Sequence, residues 1–168
     1  MSELPFKLTN FNLFIDGKGF AGIVEELELP KIEFQTESYR SGGMDAPLAI
    51  EMGMNELEAN YTLGSYEPEV FRLMGFRAGL PVVLIARGAL KRHEEVIPIT
   101  VTISGQVTSV DMGSWKAGDN TSMQFAVKCS YYRLDRGVEN LIEIDVKNLI
   151  RRFGGVDQLE AIRQALFI

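Results

Sequence analysis

Strict alternation of apolar and polar residues dominates the second half of the chain. Ile97, Ile99, Val101, Ile103, Gly105 and Val107 alternate with Pro98, Thr100, Thr102, Ser104, Gln106 and Thr108. A period of two turns the first set toward a core and the second toward solvent, so residues 96–110 are expected to form one long strand. Met123, Phe125, Val127, Cys129 and Tyr131 repeat the pattern against Ser122, Gln124, Ala126, Lys128 and Ser130. That phase makes Cys129 a small core hydrophobe rather than a nucleophile. Hairpin signals link the pieces, Asp16-Gly17 after residues 12–15 and Asp135-Arg136-Gly137 before residues 138–146.

The phase changes between residues 48 and 63. Leu48, Ile50, Met52 and Met54 are apolar on even positions, whereas Leu57, Ala59, Tyr61 and Leu63 are apolar on odd ones. A slip of one residue inverts the faces unless the backbone absorbs it, which predicts a bulge or tight bend around residues 53–56. The face opposite the apolar one carries Glu51, Glu56, Glu58 and Asn60, an acidic stripe. Two short helices complete the pattern. Pro68 suits a first helical position and Glu69 the positive end of the dipole, with Val70, Leu73 and Met74 on one face and Gly75 as a stop. Asp157 and Glu160 have capping-box spacing ahead of Leu159, Ile162 and Leu166, which predicts a C-terminal helical segment at about 156–166. Leu166, Phe167 and Ile168 then require a partner surface, either the chain's own core or a neighbouring subunit.

Ahead of the slip lies a polar loop, residues 36–47, whose Gly42 and Gly43 permit positive φ and whose Asp45 and Pro47 favour turns. It is expected to project. Tyr39, Arg40, Ser41, Gly42, Gly43, Met44 and Asp45 form its exposed part, and the large side chains among them suit an interface, although an ordinary surface connection has the same composition.

The chain of 168 residues, 46% hydrophobic, fits one domain spanning 1–168 and is long enough to bury a core. It opens with no secretory signal and has no stretch of membrane-spanning length, so a soluble protein made in the cytosol is expected. One cysteine excludes an internal disulfide. The net charge of −6 is uneven: residues 1–70 hold 13 acidic and 4 basic side chains, giving −9, and residues 71–168 hold 10 and 13, giving +3. Opposed halves could dock head to tail between identical subunits, or the charges could mix on one surface. An acidic chain does not grip phosphates.

Enzyme signatures fail on context. Residues 17–22, GKGFAG, match GxGxxG, but a dinucleotide site needs a helix opening there, and residues 23–29 run in strand fashion into Pro30. A glycine-rich hairpin turn is expected instead. His93, the single histidine, lies among Lys91, Arg92, Glu94 and Glu95 in a charged turn. Neither catalysis nor a cofactor or metal is expected. Trp115, the single tryptophan, sits between glycine-rich turns as an interface anchor or a half-buried loop anchor.

Five segments in order, residues 8–22, 36–53 (TESYRSGGMDAPLAIEMG), 111–119 (DMGSWKAGD), 128–135 (KCSYYRLD) and 154–159 (GGVDQL), resemble the major tail tube proteins of contractile-tailed bacteriophages and of related R-type bacteriocins. The resemblance covers essentially the whole chain. It implies a mainly β fold, two packed antiparallel sheets as a tail-tube sandwich or barrel, with a short flanking helix and a short C-terminal helix. It further implies hexameric rings stacked into a hollow tube inside a contractile sheath, assembled in the host bacterial cytoplasm and found in the virion tail. The implied partners are further copies of the chain, the tail sheath protein, baseplate and tail terminator proteins, and a tape measure protein and DNA in the lumen. Residues 36–47 would reach a neighbouring ring, Glu51, Glu56, Glu58 and Asn60 would line the lumen, and Trp115, Leu166, Phe167 and Ile168 would meet partner surfaces. A bacteriocin or other injection tube without DNA fits the same segments. A monomeric lipocalin-like barrel binding a small apolar ligand would use the same alternation.

Overall fold

In the computed structural model, which describes residues 4–73 and 80–168, the period-two segments become the strands of a mostly antiparallel β protein. The described elements run β1 (Lys7–Ile15), β2 (Lys18–Gly19), β3 (Val24–Glu28), β4 (Phe34–Tyr39), β5 (Leu48–Met54), β6 (Leu57–Leu63), α1 (Pro68–Leu73) and β7 (Val82–Arg92). There follow β8 (Glu95–Asp111), β9 (Met123–Arg136), β10 (Glu139–Asp145), β11 (Ile150–Phe153), β12 (Val156–Asp157) and α2 (Glu160–Leu166). Ten of the strands form one sheet, in the order β12-β11-β10-β9-β8-β7-β1-β2, with β6 joining β9 and β3 joining β6. Among the described residues the other two, β4 and β5, pair only with each other.

The large sheet folds over itself to make two packed layers. The first half of β9 pairs with β6 through Leu57 to Leu63, and its second half pairs with β10. β8 runs beside both halves, with register shifts at Ser104/Gly105 and Val107/Ser109. These bulges are the corner at which the two long strands pass from one layer to the other. Gly105 is required there, because a Cβ on it would land on the Lys128 carbonyl. The bulge also corrects the expected face of Tyr131. Gly105 opposes Cys129 and Ser104 opposes Tyr131, so Ser130 is the extra residue and the core phase moves to Tyr132, 2% exposed.

Between the layers, Leu13, Ile15, Leu84 and Ile103 meet Leu57, Leu63, Met123, Phe125 and Val127 in one apolar cluster. The Tyr61 ring stacks on Phe125 at 4.7 Å and 12°. Side chains therefore fill the interior. Cys129 is buried in it, and burial pushes its thiol up to about 11.

Local signals landed where their chemistry allowed. Asp16 and Gly17 both take positive φ in the two-residue turn between β1 and β2, so the GxGxxG match is a hairpin followed by strand β3. Gly53, at φ 104°, lies one residue before the end of β5, where the pairing with β4 shifts register between Phe34 and Thr36; this bulge and the bend at residues 55–56 absorb the phase slip. Val70 of α1 is fully buried, while Met74 and the expected stop at Gly75 lie outside the described residues. The helix expected from about 156 begins at Glu160, because Val156 and Asp157 pair with β11. Asp157 does not form the capping box. Its carboxylate accepts the Leu159 N–H at 3.1 Å and pairs with Arg163 at 2.6 Å. Arg163 therefore holds that carboxyl down at about 2.

Candidate assembly surfaces

The β4–β5 ribbon has a sequence that would suit a core, yet its apolar face is in water. Leu48, Ile50 and Met52 project from β5 at 59%, 46% and 58% exposure, beside Tyr39 at 53%. Part of the expected loop is strand, since β4 continues to Tyr39 and leaves only residues 40–47 as the tip. Arg40 Nε donates to the Met44 carbonyl at 3.2 Å, and the Met44 N–H donates to the Ser41 carbonyl at 3.2 Å. Of the two glycines only Gly43 uses positive φ, 97°. Tyr39, Arg40, Ser41, Gly42, Gly43 and Asp45 are exposed and Met44 is half-buried.

The expected acidic stripe divides. Glu56, Glu58 and Asn60 lie along one stretch of chain at β6, where Lys128 Nζ reaches Glu56 at 3.0 Å and Glu58 at 2.6 Å. Hydrogen bonds that the ammonium donates to Glu58 and then to Glu56 raise the Lys128 pKa and keep it charged. Asn60 donates to Glu28 of the neighbouring strand at 3.1 Å, adding β3 acids that periodicity within residues 48–63 could not reveal. Glu51 sits apart on the ribbon, 2.6 Å from Arg151 of β11. These pairs join acids of the first seventy residues to bases of the remainder within one subunit. The uneven charge is thus partly neutralised internally, which weakens the head-to-tail reading.

Trp115 is 83% exposed rather than half-buried. Its indole N–H donates to the Tyr66 hydroxyl at 2.9 Å, and that hydroxyl donates to the Met112 carbonyl at 2.8 Å. The edge is fixed while the ring face stays open. Leu166, Phe167 and Ile168 are also open, at 56%, 96% and 73%, and α2 has no buried residue. His93 occupies the exposed turn between β7 and β8.

The family described as phage tail tube protein FII matches residues 5–166. The chain belongs to the phage tail tube protein family. It is 30% identical over 166 residues to the tail tube protein of Escherichia phage P2, covering 96% of each chain. It is likewise 30% identical over 154 residues to the major tail tube protein of Serratia phage KSP20, covering 90% of each. Among solved structures, the fold resembles a chain of an extracellular contractile injection system sheath-tube complex in the extended state, with a TM-score of 0.62 at 14% identity over 80% of this chain and 93% of that one. It also resembles a chain of the anti-feeding prophage tube-terminating cap, with a TM-score of 0.63 at 12% identity over 82% and 95%. The two curated relatives are structural tail components.

Proposed function

We propose that the chain is the repeating subunit of the inner tube of a contractile phage tail, forming hexameric rings that stack within the virion tail. The observation that carries this reading is the β4–β5 ribbon. Among the described residues its backbone pairs with no other strand, and it presents Leu48, Ile50 and Met52 to solvent. A two-stranded ribbon whose apolar face stands in water calls for a partner on that face. A neighbouring ring supplies one, with the tip at residues 40–47 leading. Lateral closure of six copies pairs strand edges that a lone subunit leaves open, such as most of β1, which β2 covers only at Phe14 and Ile15. Trp115 and the segment 166–168 meet sheath, baseplate, terminator or neighbouring tube subunits.

The face carrying Glu56, Glu58, Asn60 and Glu28 lines the lumen. Two carboxylates share one lysine there, so the surface keeps an acidic excess that repels phosphates, and DNA slides past it. The tube conducts DNA across the target envelope.

Negative-stain electron microscopy of the purified protein across a concentration series tests the assembly. Stacked rings or hollow rods are expected. A strictly monomeric species at high concentration, even with baseplate added as a nucleus, overturns it. For the lumen, Glu56→Lys with Glu58→Lys should assemble normally and slow DNA release. Release at the normal rate would hand the lumen to the opposite layer, whose outward row of Thr100, Thr102 and Ser104 is small and polar.

A further inference from the structure

We infer that Arg151 is the positioning residue that sets the attitude of the β4–β5 ribbon and so decides which face the ribbon offers to another subunit. The inference rests on the ribbon being the stacking element. Arg151 belongs to β11, almost one hundred residues further along the chain, and is 8% exposed. Its Nη1 lies 2.6 Å from the Glu51 carboxylate on β5, and its guanidinium lies 5.0 Å from the centre of the Phe34 ring on β4. Phe34 in turn meets Phe153 of β11 edge-on at 6.5 Å. One arginine and one phenylalanine of a four-residue strand thereby grip both strands of the ribbon.

The grip is face-specific. Glu51 points to the side of β5 opposite Leu48, Ile50 and Met52, so holding Glu51 against β11 turns the apolar row outward. The Asn55 N–H donates to the Glu33 carbonyl at 2.8 Å and closes the ribbon's base, but that bond alone allows the ribbon to swing. Arg151 Nε is buried with no hydrogen-bond partner among the described residues. The guanidinium thus leans on Glu51 for compensation, and lifting the ribbon would strand a buried charge. A surface ion pair would restrain little, whereas a buried arginine with one carboxylate partner makes the attitude of the ribbon a matter of strong preference.

The experiment is a distance measurement between spin labels on the unassembled subunit. Ser41→Cys places one label on the ribbon tip and Thr102→Cys another on the large sheet, while Cys129 is buried and stays unlabelled. The otherwise unchanged chain should give a single narrow distance peak. Arg151→Met and, separately, Glu51→Gln should lose that peak while thermal unfolding of the large sheet stays cooperative. Should Arg151→Met fail to fold, Glu51→Gln, at a half-exposed position, carries the test. A narrow peak at an unchanged distance in the folded variants would overturn the inference. Tube growth measured on the same variants separates the two readings. A lost peak with undiminished growth keeps Arg151 as the positioning residue and refutes stacking through the ribbon.

Discussion

Replacing Leu48, Ile50 and Met52 together by serine removes the apolar face of the ribbon without touching the core. Each of these side chains leaves about half of its surface in water in the single subunit. Complete burial of such a side chain is worth about 2 kcal/mol, so the half still open offers about 1 kcal/mol per residue when a partner covers it. Three residues give about 3 kcal/mol for each ribbon, which corresponds to association weaker by about 100-fold per contact. Six ribbons act at each ring junction of a hexameric tube, so the loss in ring stacking exceeds that of one contact. The subunit itself should change by no more than about 0.5 kcal/mol per substitution, because none of the three residues belongs to the buried cluster. The assay is the threshold concentration for sedimentable polymer, read beside electron microscopy and a thermal melt. A triple variant that melts normally and polymerises at the unchanged threshold would refute the assignment of the ribbon as the stacking surface.

Gly105→Ala should lower subunit stability by about 2 kcal/mol, since the added Cβ collides with the Lys128 carbonyl at the sheet corner; a thermal melt checks it. The Asp157–Arg163 pair holds the Asp157 carboxyl below its ordinary 3.8, at about 2. A depressed folded-state pKa stabilises fully above the ordinary value and is lost as pH falls through about 2, so protease release of α2 should rise from about pH 4 downward. Asp157→Asn should abolish that dependence and leave α2 susceptible at neutral pH. Trp115, the only tryptophan and largely exposed, should emit in the red as a free subunit. Its emission should shift to the blue on assembly, and an unchanged spectrum in assembled tubes would remove it from the interfaces.

The long strands were legible because alternation reports burial on one side, and both layers bury one side continuously. Hairpin turns were legible for a different reason, since Asp16-Gly17 carries the positive φ that a two-residue turn demands. Ser130 was not, because a bulge is fixed by the register of a partner strand, and nothing in the local sequence distinguishes Tyr131 from Tyr132 as the core residue. The grip of Arg151 on Glu51 was invisible for the same reason at longer range. Nothing within residues 150–153 names Glu51 as the partner of Arg151 until folding brings β5 against β11.

The phase slip at residues 53–56 shows where pattern reading reaches its limit. Leu48, Ile50 and Met52 alternate as cleanly as Leu57, Ala59 and Tyr61, yet only the second set is buried in the subunit. Period two records that one face of a strand leaves water, and it is silent on whether the chain itself or another copy of it does the covering. The bulge at Gly53 and the bend at residues 55–56 are the physical boundary between those cases, since beyond them β6 finds partners in β3 and β9, and before them β5 finds only β4 among the described residues. A core-grade face left uncovered among the described residues, presented outward by a buried arginine behind the ribbon, is what a self-assembling subunit needs. In the proposed assembly the face stays available while the subunit is alone and is covered when the next ring arrives.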